Sequence, residues 1–463
     1  MSGCTGFDPS CGVVFRITPS GTYTVLHTFT GTDGSHPRGA LIQASDGNLY
    51  GTTVAGGANQ NSICIYAPGC GTIFRMTLSG KLKTLYSFCA KTNCADGDAP
   101  NAGMVEGTDG NFYGTAYLGG ALTNVYCTTE GGGCGTVFKM TPAGVLATLH
   151  NFAGSPDGAQ PAAELVQGAD GLFYGTTFLG GSKVCIAGGC GTFFRISPTG
   201  KLTTLYRFCG KAQCPDGEGP EGAIAQGTDG NFYFTTTIGP FQGTIFSITP
   251  QNKATVLYSF TTAYPTGGTP FGGLIQGTDG NFYGTTDGEF NGGIGTVFSL
   301  NVGLGPFVET RPGFGKVGAS IVVLGNNLTG TTNVSFSGTA APFTVVSASE
   351  ITAKVPAGAT TGKVEVTTPS GTLSSNAVFR VRPQILSFSP TSGPAGTSVV
   401  ITGVSFLQAT AVAMAACKCL MSFTVNSDKQ ITAVVPPGAT SGKIAVRTPG
   451  GRLESTANFT VTP

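Results

Sequence analysis

Five tyrosines, Tyr50, Tyr113, Tyr174, Tyr233 and Tyr283, recur four residues after an aspartate in near-copies of one octapeptide. Its first copy is Asp46-Gly-Asn-Leu-Tyr-Gly-Thr-Thr53, and the others start at Asp109, Asp170, Asp229 and Asp279. Five equivalent phenols could present stacking faces and hydroxyls to a polymer such as a glycan, which makes these tyrosines the binding candidates. The competing expectation is stronger: aromatics adjoining Leu49, Phe112 and their equivalents pack between neighbouring sheets. The chain also has no Trp, which weakens the sugar-stacking case.

Catalytic chemistry is harder to find. The recurring aspartates occupy a turn in every copy, whereas a carboxylate pair for glycoside hydrolysis has to break the symmetry of its ring. No unit stands out by carrying an unusual Asp, Glu and His together. His27 and His150 stand where other units have Tyr86, Tyr206 and Tyr258, so they replace a packing tyrosine. His36 lies in Asp33-Gly-Ser-His-Pro37 without a second histidine nearby as co-ligand. One carboxylate per Asp-Gly loop is thin for the roughly six to eight oxygens that calcium takes. G-x-S-x-G, H-E-x-x-H and a complete phosphate loop do not occur. The expectation is no catalytic residue, no cofactor and no metal.

The 14 cysteines fall into close pairs: Cys4/Cys11, Cys64/Cys70, Cys89/Cys94, Cys127/Cys134, Cys185/Cys190, Cys209/Cys214 and Cys417/Cys419. Thiols in twos at loop ends mark disulfides, which persist in oxidising compartments. Each would close a loop of about six residues and stabilise by roughly 2 kcal/mol, pinning a loop and not the fold. Zinc is the rival, but it prefers C-x2-C pairs gathered in fours, and these separations do not match. Cys417-Lys-Cys419 is open between a free dithiol and a strained bond.

Composition narrows the class. Only 10% of the residues are charged, the net charge is +1, and no basic run offers the concentrated charge that nucleic acid requires. No stretch approaches the roughly 20 apolar residues of a membrane helix. The expected place is extracellular or on the cell surface. Met1-Ser-Gly-Cys has no features of a secretory signal, and the chain opens directly before a block at Gly12 without the octapeptide that precedes it elsewhere. A missing upstream segment is the expectation.

Four strand-length segments recur around the octapeptide, illustrated by Asn48–Thr53, Gly71–Thr77, Lys81–Phe88 and Ala102–Glu106. They are aromatic and β-branched, bounded by Gly, Pro, Asn and Asp. In Phe74-Arg75-Met76 the alternation turns Arg75 away from the other two. Asp-Gly before Asn-Phe-Tyr is a hairpin turn, and D-G-x-x-P at Asp33, Asp96, Asp157 and Asp216 reads as a loop crossing to the outer strand. Six GTVFRM-type blocks against five of each other strand predict an all-β propeller of five or six four-stranded blades over residues 1–302.

These blocks, DGNFYGTT, GCGTVFKMTPAG and LYSF in fixed order over roughly residues 11 to 300, resemble the Gloeobacter/Verrucomicrobia-type tandem repeat. The resemblance implies a surface protein and brings no biochemical activity with it. After Gly303 a different unit appears twice, over 307–383 and 384–463. Pro-x-x-Gly, Ile351-Thr-Ala-Lys-Val-Pro356 answered by Ile431-Thr-Ala-Val-Val-Pro436, Gly362-Lys-Val answered by Gly442-Lys-Ile, and a closing F-x-V resemble IPT/TIG domains, which implies immunoglobulin-like sandwiches with a structural role. The reading as a whole is an exported, non-enzymatic repeat protein with the propeller facing a glycan or protein and the sandwich pair as connector. Its rival is a propeller enzyme such as an extracellular polysaccharide lyase or hydrolase.

Overall fold

The computed structural model describes residues 11–18, 20–59, 64, 69–120, 132–168, 170–182, 190–210, 213–238, 242–261, 267–287 and 295–463. Among them there is no α-helix, and the chain divides into two compact units, one of Met1–Gly107, Asn111–Gln276 and Phe282–Asn301, the other of Thr108–Gly110, Gly277–Asn281 and Val302–Pro463.

The repeat folds as successive antiparallel sheets. β1 (Val13–Ile17) and β2 (Tyr23–Thr28) form a hairpin. The first full sheet is β3 (Ile42–Gln43), β4 (Leu49–Thr53), β5 (Thr72–Met76) and β6 (Leu82–Ser87), in that order. The second is β7 (Val105–Glu106), β8 (Phe112–Ala116), β9 (Thr136–Met140) and β10 (Leu146–Asn151). The third is β11 (Val166–Gln167), β12 (Phe173–Thr177), β13 (Thr192–Ile196) and β14 (Leu202–Arg207). The fourth is β15 (Ala225–Gln226), β16 (Phe232–Thr236), β17 (Thr244–Ile248) and β18 (Ala254–Ser259). A three-stranded sheet of β19 (Ile275–Gln276), β20 (Phe282–Thr285) and β21 (Val297–Leu300) ends the series. Repeated four-stranded sheets of this kind are propeller blades.

Two sequence expectations change here. The Ala102–Glu106 block keeps only two residues of strand and opens the next sheet by pairing with β8, and the octapeptide strand is therefore second in its sheet. The short first strands of successive sheets approach one another: a Cβ on Gly103 would fall 2.8 Å from the Ala40 carbonyl oxygen, and one on Gly273 2.6 Å from Ala223 Cβ. These segments line the axis. The D-G-x-x-P loop accordingly runs from the outermost strand of one sheet to the innermost strand of the next, opposite to the direction expected.

Antiparallel order sends alternate connections to opposite ends of the blades. Connections from first to second strand (44–48, 107–111, 168–172, 227–231, 277–281) and from third to fourth (77–81, 141–145, 197–201, 249–253) are all five residues long. At the opposite end, the stretches from second to third strand (54–71, 117–135, 178–191, 237–243, 286–296) range from 7 to 19 residues. Length variation is confined to one end.

Beyond the repeat, Glu309–Arg311, Ser320–Leu324, Glu350–Lys354 and Phe343–Ser347 form one sheet of a sandwich, and Asn333–Phe336, Val364–Thr368 and Gly371–Ser374 belong to the other. Alternate residues of both, including Ile321, Val323, Phe336, Ile351 and Val366, make its core. The following domain repeats the plan around Val399, Ile401, Met414, Ile431 and Phe459.

Candidate functional site

The octapeptide is a closed unit of hydrogen bonds. Asp46 accepts from the Asn48 amide and side chain, each at 2.9 Å, and from the Tyr50 hydroxyl at 2.9 Å. Asp229 takes the same bonds from Asn231 and Tyr233, and Asp170 accepts from Leu172 and Tyr174. These bonds hold the Asp46 carboxyl below its usual range against the opposing effect of burial, while burial raises the Tyr50 phenol above its own. Four of the rings also pack on the phenylalanine of the next sheet: Tyr50 on Phe112 at 4.1 Å, Tyr113 on Phe173 at 3.8 Å and Tyr233 on Phe282 at 4.1 Å are stacked, and Tyr174 on Phe232 at 4.2 Å is tilted. Tyr50, Tyr113, Tyr174 and Tyr233 are buried, and Tyr283 is half-buried. The four packed rings have no face left for a sugar, a correction to the binding candidate: the rings join blades.

Histidine and tyrosine are interchangeable at a second repeated contact. Tyr86 and Tyr206 donate to Asp96 and Asp216 at 2.6 and 2.7 Å; His27 and His150 place Nε2 2.8 and 2.9 Å from Asp33 and Asp157. Each ring stands edge-on to a phenylalanine two residues later. His36 is exposed, at positive φ, with Nδ1 3.2 Å from the Ser35 hydroxyl.

The described cysteines of the repeat gather at the variable end. Cys64–Cys70, Cys89–Cys94 and Cys209–Cys214 are disulfides, as is Cys417–Cys419 in the hairpin between Ala411–Met414 and Cys419–Ser427 of the last domain. Cys11, Cys134 and Cys190 are disulfide-bonded too, while Cys4, Cys127 and Cys185 lie outside the described residues. Among those described, no cysteine is free. Cys89, Cys94, Cys209 and Cys214 all have positive φ, an uncommon conformation for a residue with a Cβ. The second-to-third-strand stretches 54–71, 117–135 and 178–191 hold only Glu130 and Lys183 as charged residues and carry Asn59, Gln60, Asn61, Tyr66, Thr123 and Asn124 among their polar ones.

One ionisable group at the axis escaped the sequence reading. Ahead of the short first strands, Ala40, Gly103, Ala223 and Gly273 occupy the position where the third sheet has Glu164. Its carboxyl carbon comes within 3.2 Å of where a Gly103 Cβ would stand, and burial pushes its pKa up to about 7. Glu221, two residues before Ala223, is raised by burial as well. The signal was in the sequence: a glutamate among alanines and glycines at one repeat position, hidden because the register of this short strand was obscure.

The profile of the Gloeobacter/Verrucomicrobia repeat matches residues 4–125 and 123–341, and that of the IPT/TIG domain matches 310–381 and 383–462. No curated protein matches the chain. Among solved structures, a surface glycan-binding protein from Prevotella bryantii is 19% identical over 35% of this chain and 40% of its own, with a TM-score of 0.24. A surface glycan-binding protein from a xyloglucan utilisation locus of Bacteroides uniformis is 20% identical over 33% of this chain and 48% of its own, with a TM-score of 0.17. A fungal alcohol oxidase in complex with copper is 14% identical over 92% and 98%, with a TM-score of 0.29. The chain spans less than half the length of the two surface glycan-binding structures. No helix among the described residues is long and apolar enough to cross a membrane.

Proposed function

This chain belongs to the Gloeobacter/Verrucomicrobia repeat family and carries two IPT/TIG domains, and from that footing we propose that it is an extracellular binding protein. Its recognition face is the cystine-laced, length-variable end of the blades, and the sandwich pair serves as connector. The observation that carries this reading is the asymmetry between the two ends: invariant five-residue turns at one, stretches of 7 to 19 residues at the other. Recognition concentrates on loops held by a rigid scaffold, and disulfides fix such loops in advance of binding. The nearly uncharged, amide- and hydroxyl-rich composition of 54–71, 117–135 and 178–191 suits a neutral hydrogen-bonding polymer, a glycan, better than a charged partner. The disulfides support export.

The test is retention of the full chain on an array of plant and microbial polysaccharides. Lys91→Glu with Phe271→Ser, both exposed at the variable end, should abolish it, and Lys81→Glu with Lys201→Glu in the five-residue turns should leave it intact. Retention of no polysaccharide, or loss through the turn variant, sinks the glycan reading.

A propeller enzyme acting on polysaccharide has one observation in its favour, the Glu164 carboxyl at the axis. A pKa of about 7 suits a general acid. Glycoside hydrolysis asks for a second carboxylate at a defined distance. Release of reducing ends by the wild-type chain, lost in Glu164→Gln, would favour this reading; binding unchanged by Glu164→Gln with no turnover favours the first.

A further inference from the structure

The cystine of the last domain differs from those of the repeat in what it closes. Cys417 and Cys419 are two residues apart, whereas Cys64–Cys70, Cys89–Cys94 and Cys209–Cys214 span six, five and five. A cross-link stabilises by restricting the unfolded chain, and the effect shrinks with the loop it closes. The hairpin around Cys417–Cys419 is held without the bond. Val412 pairs with Met421, Ala413 with Leu420 and Met414 with Cys419, and Ala411–Met414 pairs on its other edge with Gly442–Thr448. The preceding domain makes the equivalent hairpin with no cysteine, through a two-residue turn at Ser337 and Gly338. In the last domain the four residues Ala415 to Lys418 take that place, and Cys417 comes with the longer turn.

The pair is also within reach of solvent. Cys417 and Cys419 are half-buried, and Ala416, Lys418 and Leu420 around them are exposed, Leu420 at 70%. Of the described cysteines in the repeat, all but Cys214 are buried. Thiol–disulfide exchange requires a thiolate to reach a sulfur, and exposed cystines are the labile ones. Lys418 places a cation between the two cysteines in sequence, which favours the approach of one thiolate and the departure of another.

We propose that Cys417–Cys419 is a thiol-exchange site, the point at which the chain takes up and releases low-molecular-weight thiols of the glutathione class. A small thiolate attacks one sulfur and joins it in a mixed disulfide, while the other sulfur leaves as a thiolate and takes the proton that the incoming thiol gave up. A second small thiol then displaces the adduct. The two small thiols leave as their own disulfide, and the chain keeps two electrons and two protons as a dithiol. Alternatively the freed cysteine expels the adduct as a thiolate and restores the bond. With its Cα 5.1 Å from that of the modified residue, it stands beside the adduct as a resolving cysteine must. The site belongs to the sandwich pair and stands whether or not the repeat binds a glycan.

The experiment is partial reduction of the folded full chain in glutathione buffers of graded thiol-to-disulfide ratio, followed by acid quenching, alkylation and peptide mass spectrometry. Cys417 and Cys419 should carry glutathione and then open as a dithiol while the cystines of the repeat remain closed, about tenfold or more ahead of any of them. Cys419→Ser should retain a glutathione that the wild type sheds. Cys417→Ser with Cys419→Ser should take up none, and should keep the wild-type β circular dichroism and unfolding midpoint. Repeat cystines that open as fast, a 417–419 pair that stays closed, an adduct on Cys419→Ser shed as fast as that of the wild type, or a double variant that fails to fold overturns the proposal.

Discussion

The Tyr50 ring lies over Phe112 of the next sheet, centroids 4.1 Å apart and planes at 28°, while its hydroxyl donates to Asp46 in its own turn. One side chain thus ties a turn to its strand and one blade to the next. Aromatic pairs of this geometry contribute about 0.5–1.5 kcal/mol beyond the area they bury. Phe112→Ala should therefore destabilise the repeat by about 3–5 kcal/mol. Tyr50→Phe, which keeps the stack and removes the hydroxyl, should cost about 1.5–3 kcal/mol through the lost bond to a charged acceptor. Urea unfolding of both variants measures the difference; a Tyr50→Phe loss equal to that of Phe112→Ala would contradict the division.

A threonine pair spans the second and third strands in most sheets. Thr53 and Thr72, Thr177 and Thr192, Thr236 and Thr244, and Thr286 and Thr296 each bring their hydroxyls to 2.8 Å. In the second sheet Ala116 replaces the first member, and the Thr136 hydroxyl is buried without a hydrogen-bond partner. Ala116→Thr should restore the pair and stabilise the chain by about 1 kcal/mol. Gly97 stands against Ala116 as Gly34 does against Thr53, so the added atoms have a precedent within the same chain. A lowered urea midpoint would show that the second sheet differs from its neighbours.

Glu164 gives the stability a pH dependence of known sign. Its carboxyl is raised from 4.5 to about 7 by burial. Below about pH 4.5 both folded and unfolded chains hold the proton, and the group is neutral in both. Between about 4.5 and 7 the unfolded chain ionises first, so stability falls as pH rises, with the full loss above about pH 7. The partial exposure of the side chain limits that loss to at most about 3 kcal/mol. Glu164→Gln should equal the wild type in denaturant unfolding at pH 4 and exceed it at pH 8. Parallel curves for the two proteins across that range would place Glu164 in water.

His27 and Tyr86 make equivalent bonds, to Asp33 and Asp96. His27→Tyr should accordingly unfold within about 1 kcal/mol of the wild type, whereas His27→Ala, leaving Asp33 without that donor, should cost about 1–3 kcal/mol. Thermal unfolding of the two variants separates a packing and hydrogen-bonding role from any need for imidazole.

Strand identity was legible because local patterns carry it: Phe74 and Met76 are buried and Arg75 is half-buried, as alternation predicted. The sandwich cores followed from the same period. What stayed hidden depends on neighbours that sequence spacing cannot supply. Ala102–Glu106 reads as a strand of the unit before it, because only pairing with Phe112 and Tyr113 assigns it to the next. The tyrosine ring looked available for binding because its cover, a phenylalanine from another unit, lies about 60 residues away. Glu164 became conspicuous only once that short strand was placed at the axis. Cys64–Cys70 and Cys89–Cys94 needed the antiparallel order of the sheet to bring both of their loops to one end.

The proposed recognition face is tested most directly by hydrogen-exchange footprinting of the full chain with and without a polysaccharide retained in the array experiment. Protection on 54–71, 88–104, 178–191 and 208–224, with exchange unchanged in 77–81, 141–145 and 197–201, is the predicted result. Protection centred on the five-residue turns, or confined to the sandwich domains, would contradict it.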